Sequence, residues 1–124
     1  MKLKTSNSSL MPLIKIQTNV ILPPRVLTEL LSDTTAIAAR EIGKPESIFM
    51  TSAQTEIAMM FGKEVVPTAL FEIEVLDYGK GLSQSFVDEL NDLAGRLLDV
   101  PPEQVFIKLI DVPRGSWAGG GKIY

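Results

Sequence analysis

The 124-residue chain contains no cysteine and no histidine. These absences remove disulfides, thiol nucleophiles, imidazole bases and nearly all transition-metal sites together. Any chemistry must therefore use carboxylates, lysine, tyrosine or an unusual base, and no cofactor is expected. Basic residues number 12 against 15 acidic ones, giving a net charge of -3, and no Lys/Arg cluster runs along any segment. The electrostatic footprint of a nucleic-acid binder is missing. Lys2 and Lys4 imitate the basic start of a signal peptide, but no apolar stretch of the required length follows, and no segment approaches a membrane span. The expectation is a protein without nucleic-acid or membrane partners and, by default, a cytoplasmic address.

What is present fits one domain with one core. Apolar residues make up 45% and charged residues 22%, the balance of a globular protein. The first ten residues, MKLKTSNSSL, are polar and poor in apolar runs, whereas Met11 is followed at once by Pro12 and a regular pattern. We expect residues 1–11 to be an extension outside the mature fold and residues 12–124 to form the domain.

From Leu13 to Val20, Ile14, Ile16 and Thr18 alternate with Leu13, Lys15, Gln17 and Asn19, the period of a half-buried strand. Pro23-Pro24 then opens a segment in which Val26, Leu27, Leu30, Leu31, Ile37, Ala38 and Ile42 recur at helical spacing, ending at Gly43. Residues 47–53 read as a second strand, and 55–67 as a loop turning at Phe61-Gly62. The order then returns. Ala69 to Leu76 reads as a strand. Ser83 and Ser85 are candidate caps of a helix carrying Phe86, Leu90, Leu93 and Leu97, and Val105 to Ile110 is the last long strand.

One offset lays Leu13-Ile14-Lys15-Ile16 over Leu70-Phe71-Glu72-Ile73 and Pro45-Glu46-Ser47-Ile48 over Pro102-Glu103-Gln104-Val105. A constant offset argues for a duplicated β-α-β unit, and a crossover helix makes the strands it joins parallel. The predicted fold class is α+β: a four-stranded sheet with two helices on one face. That layer leaves one sheet face open. Lys15, Gln17, Glu72 and Glu74 are expected to solvate part of it or line a channel, with Ile48, Met50, Val105 and Ile107 making it apolar and favouring self-association. The glycine-rich segment 115–124 is expected to lie across a neighbour's sheet edge. Asp77, Glu89 and Asp111 suggest caps or ion pairs, and Met59-Met60-Phe61 either a partner patch or loop packing.

Several segments in fixed order resemble a known family: Met11-Pro12-Leu13-Ile14 with Thr18-Asn19-Val20, Ile42-Gly43-Lys44-Pro45-Glu46, Met60-Phe61-Gly62, Pro67-Thr68-Ala69-Leu70, and Trp117 near a Gly-rich end. Together they resemble the macrophage migration inhibitory factor branch of the tautomerase superfamily, over residues 11–124. The resemblance implies a homotrimer whose sheets enclose a central barrel, with active sites between subunits. It also implies removal of the initiator methionine, here Met11. The exposed proline, Pro12, would then be the catalytic base of a keto–enol proton shuttle on phenylpyruvate-like α-keto acids.

The chemistry behind that role is general. A proline nitrogen inside a chain is a non-basic amide; at a free terminus it is a secondary amine. Free α-amino groups titrate near ~8, and burial pulls that value toward neutrality, where a general base works best. Without such processing, Pro12 simply starts an edge strand.

The resemblance further implies that Lys44 pairs with a substrate carboxylate, although a lysine just past a helix C-terminus is also favoured by the helix dipole. It places Leu76 near a backbone amide and apolar wall of the site, with Leu76-Asp77-Tyr78-Gly79 departing from the family's Ser-Ile-Gly. Trp117 and Ile123 would line the pocket mouth. Two departures bear on substrate choice. Phe106 and Lys108 stand where the family places a tyrosine and an asparagine that reach a neighbour's pocket, so a phenolic donor is lost and a cation gained. The Cys-x-x-Cys of some members is absent, which excludes a thiol oxidoreductase. The alternatives are a non-catalytic binding or signalling protein on the same trimer, and a ferredoxin-like ligand-sensing module.

Overall fold

The computed structural model describes residues 12–124, so the expected extension at 1–11 lies outside the described residues. The main elements are β1 (Leu13–Thr18), α1 (Pro24–Ile42), β2 (Met50–Gln54), β3 (Ala69–Leu76), α2 (Gln84–Leu98) and β4 (Val105–Val112). A short pair, β5 (Ala118–Gly119) and β6 (Lys122–Ile123), closes the chain. The sheet order is β2-β1-β3-β4, with β1 parallel to β2, β3 parallel to β4, and β1 antiparallel to β3. Each β-α-β unit is thus parallel within itself, and the two units meet back to front at the centre. No helix among the described residues is long and apolar enough to cross a membrane.

Local signals explain the boundaries. Pro24 occupies the first turn of α1, where its missing N–H costs nothing. Gly43, at φ 81°, ends the helix, with its N–H and that of Lys44 both donating to the Ala39 carbonyl at 2.9 and 3.1 Å. At the start of α2, Ser83 Oγ accepts from the Phe86 N–H at 3.1 Å. Ser85 does not cap; it donates instead to Glu41 Oε2 at 2.7 Å, while Ser83 donates to Glu41 Oε1 at 3.0 Å. One carboxylate at the end of α1 therefore ties down the start of α2. These bonds, that of Ser85 foremost, hold the Glu41 carboxyl below its ordinary value of 4.5.

A lowered carboxylate pKa contributes stability above the unfolded value, and that contribution disappears as pH falls through the folded one. Glu41→Ala is expected to unfold at lower urea than the parent near pH ~7, by less than about 1 kcal/mol for so exposed a group. The gap should narrow as pH falls below the ordinary carboxylate range; a gap that stays the same size on acidification would contradict the assignment.

Both helices cover one face of the sheet. Ile14, Ile16, Phe71, Ile73, Val75 and Val105 from the strands pack against Leu30, Ala38, Phe86, Leu90 and Leu93 in one core. The alternation in β1 appears as read, with Ile14, Ile16 and Thr18 buried. β1 lies between β2 and β3, so Pro12 precedes an inner strand and not the edge strand expected of an unprocessed chain. Three further readings change. β1 stops at Thr18, because Thr18 Oγ1 donates to the Thr68 carbonyl and Asn19 exchanges hydrogen bonds with the Val66 carbonyl and the Thr68 N–H, turning the chain toward the loop. β2 begins at Met50, since Glu46–Ile48 forms a 3-10 turn that removes Ile48 from the strand. Val105 and Ile107 face the helices, because Val105 pairs with buried Ala69 and Ile107 with buried Phe71. The open face carries Met50, Phe106, Lys108 and Ile110 along with Lys15, Glu72 and Glu74. Lys108 pairs with Glu72 at 3.1 Å and Lys15 with Glu74 at 3.7 Å.

The loop after β2 packs on its own chain: the Phe61 ring meets that of Phe106 at 5.3 Å between centroids. Caps and ion pairs take up Asp77, Glu89 and Asp111, as read from the sequence. Arg40 pairs with Glu89 and Arg114 with Asp77, and Asp111 caps a turn described below. The C-terminal segment forms a hairpin within its own chain, with the Tyr124 N–H donating to the Trp117 carbonyl at 2.8 Å.

Candidate active site

Pro12 is buried at the head of β1, and its carbonyl accepts from the Met50 N–H at 3.1 Å. Leu13 pairs with Glu74 in the antiparallel ladder, so one step further brings Pro12 level with Val75 at the end of β3. Beside that end lies a cavity of about 190 Å3 lined by Ile42, Gly43, Lys44, Val75, Leu76, Asp77, Tyr78 and Lys80. Two of the residues singled out in the sequence, Lys44 and Leu76, therefore share one cavity, and Pro12 adjoins its Val75 wall without lining it.

Each wall has a local cause. The α1 C-cap fixes the backbone of Lys44, which is half-buried and has no ion-pair partner among the described residues. Leu76 is fully buried yet stands outside the main core, at the point where the in–out alternation of β3 gives way to two successive buried residues, Val75 and Leu76. Immediately after it the chain turns sharply. Asp77 adopts φ 51° and Gly79 φ 71°. The Asp77 N–H donates to the Val112 carbonyl at 2.8 Å, and the Tyr78 and Gly79 N–H groups donate to the two oxygens of Asp111 at 2.9 and 2.7 Å. The Tyr78 phenol has its pKa pushed up, first by burial and second by the negative charge of Glu41. It thus stays a neutral donor at any ordinary pH.

The remaining candidates lie elsewhere in the chain. Phe106 pairs with Leu70 and Leu76 with Val112, at opposite ends of the β3–β4 ladder and roughly 20 Å apart. Phe106 is 64% exposed on the open face, and Lys108 beside it is engaged by Glu72. Trp117 and Ile123 line a separate hollow of about 260 Å3 with Gly115, Ser116 and Ala118. A larger hollow of about 420 Å3 lies between the helices, but apart from Ala36 and Ile37 its walls are the charged residues Asp33, Arg40, Asp88, Glu89, Asp92 and Arg96. Two of its ion pairs, Arg40 with Glu89 and Arg96 with Asp92, already satisfy one another, which makes it a solvated groove.

Sequence reasoning missed Tyr78 and Lys80. The signal was present in Asp77-Tyr78-Gly79, a turn sequence placed directly after a strand that ends in the site.

The family profile of macrophage migration inhibitory factor matches residues 11–123. A macrophage migration inhibitory factor homolog of Brugia malayi is 26% identical over 116 residues, which cover 92% of this chain and 99% of that protein. The crystal structure of a homologue from Prochlorococcus marinus superposes with a TM-score of 0.81 at 27% identity, covering 90% of this chain and 98% of the other. That of a macrophage migration inhibitory factor-like protein from Entamoeba histolytica gives 0.84 at 19% identity, covering 92% and 99%. With the doubled β-α-β unit, the sheet order and the profile match all in agreement, the chain belongs to the macrophage migration inhibitory factor family of the tautomerase superfamily.

Proposed function

We propose that the protein is a keto–enol tautomerase acting on phenylpyruvate-like α-keto acids, with the Pro12 nitrogen as general base after residues 1–11 are removed. The observation that carries this reading is the buried position of Pro12 at the head of β1, level with a cavity that holds the half-buried, unpaired ammonium of Lys44. Lys44 would hold the substrate carboxylate, with Leu76 as an apolar wall. The neutral amine takes the proton from the enol oxygen, a C=O forms as the C=C electrons move outward, and the resulting ammonium returns a proton to the far carbon of the former double bond. The bonds rearrange without oxidation or reduction, and the amine is regenerated.

The assembly in this reading is a homotrimer. The apolar side chains on the open face and at the C-terminal hairpin support it, with Met50 70%, Phe106 64% and Ile123 76% exposed in the single chain. Subunit contact would bring Phe106, Lys108, Trp117 and Ile123 toward a neighbour's cavity, which one chain by itself does not achieve. The test compares protein beginning at Pro12 with protein beginning at Met1, using phenylpyruvate. Turnover by the shorter form alone is the expected result. Equal turnover by a form whose intact mass retains residues 1–11 would defeat the proline mechanism, and no turnover by either would favour a binding role.

A further inference from the structure

We propose that Tyr78 is the phenolic hydrogen-bond donor of the Lys44 cavity, aimed at the oxygen of a bound enol or α-keto acid. The inference deepens the proposed function and rests on it. Its ground is the inventory of the cavity wall. Ile42, Val75 and Leu76 are apolar, and Asp77 is occupied by Arg114 at 2.9 Å. Lys44, Lys80 and Tyr78 remain to meet a polar ligand, and Tyr78 is the one neutral O–H among the lining residues. The chain has two tyrosines, and the other, Tyr124, belongs to the C-terminal hairpin.

Placement strengthens the assignment. The turn that carries Tyr78 is pinned on both sides, by the Asp77 N–H on the Val112 carbonyl and by Asp111 accepting from Tyr78 and Gly79. The ring packs against the edge of the core, and the Lys80 ammonium lies 5.8 Å from its centroid. A donor fixed in this way loses little freedom when it meets a ligand. Burial first, and the charge of Glu41 second, push the phenol's pKa up, which favours the neutral O–H donor. A protonated phenol beside an ammonium suits a ligand with two adjacent anionic or partly anionic oxygens, as a carboxylate next to an enolate has. Tyr78 keeps its proton throughout; it stabilises charge on the oxygen while the amine performs the transfer.

The experiment uses full-fold protein beginning at Pro12, with phenylpyruvate as the probe. Tyr78→Phe retains the ring and its packing. It is expected to lower kcat about ten- to a hundredfold, with KM changed by less than about threefold and the melting temperature unchanged. Asp111→Ala, which frees the turn, is expected to lower kcat in the same direction, because Asp111 positions Tyr78. Wild-type kcat in Tyr78→Phe, alongside loss of activity in Pro12→Gly, would overturn the donor role and leave the tautomerase reading intact. A loss in Tyr78→Phe that tracks a lowered melting temperature would also overturn it, because the ring would then be structural. No turnover of phenylpyruvate by the parent protein beginning at Pro12 would sink the tautomerase reading itself, and the donor role with it.

Discussion

Pro12→Gly, in protein beginning at residue 12, is expected to lower kcat/KM for phenylpyruvate by about 10²- to 10⁴-fold, the usual worth of a positioned general base. Glycine keeps a terminal amine and a carbonyl that can still accept from Met50. What it loses is the ring that makes the nitrogen a secondary amine and fixes its direction at the head of β1. The comparison thus separates the base from the strand that carries it. Steady-state kinetics across pH would add a second reading. If a neutral amine is the base, wild-type activity falls as pH drops through the amine's pKa, because an ammonium cannot accept a proton. A kcat/KM within about twofold of the parent would exclude Pro12 from the chemistry.

Phe71→Ala is expected to have the largest effect on stability, about 3 to 5 kcal/mol. Phe71 is 0% exposed in the middle of β3, where it pairs with Ile16 on one side and Ile107 on the other. Both β-α-β units therefore meet at this side chain. The walls of the vacancy are the neighbouring strands β1 and β4, both hydrogen-bonded to β3, and two packed helices, so collapse into it is limited and the cavity cost is close to its full value. Domains of this size are stable by about 5 to 15 kcal/mol. The substitution should move the urea midpoint by a large fraction of its range. Urea unfolding at several protein concentrations checks this, because a concentration-dependent midpoint would show that assembly contributes to the measured stability. A loss below about 1 kcal/mol would mean that the core rearranges around position 71.

The same core shows what sequence patterns can and cannot convey. The limits of β3 at Ala69 and Leu76, the end of α1 at Gly43 and the cap at Ser83 were legible, because each depends on short-range chemistry: β-propensity, a residue that tolerates positive φ, a hydroxyl that satisfies a free N–H. The doubled unit was legible because a repeat preserves its spacing. Ile48 was misplaced because Pro45-Glu46-Ser47 closes a 3-10 turn whose apolar last residue resembles the first of a strand. Val105 and Ile107 were placed on the wrong face for a different reason. Alternation sorts side chains into two sets, but which set meets the helices depends on pairing with Ala69 and Phe71 in the neighbouring strand.

The site divides along the same line. The family resemblance, carried by local motifs such as Met11-Pro12 and Ile42-Gly43-Lys44-Pro45, put forward Pro12, Lys44 and Leu76 for the site. Composition excluded thiol and imidazole chemistry outright, since a side chain absent from the list cannot act. Only the tertiary structure joined Lys44 to Leu76 around one cavity, added Tyr78 and Lys80 to its wall, and set Phe106 and Lys108 far along the sheet from it. Those relations are fixed by strand register, by the crossing of α1 over the sheet and by the turn that Asp111 holds. Each joins residues distant in the chain, and no local run of amino acids encodes such contacts by itself.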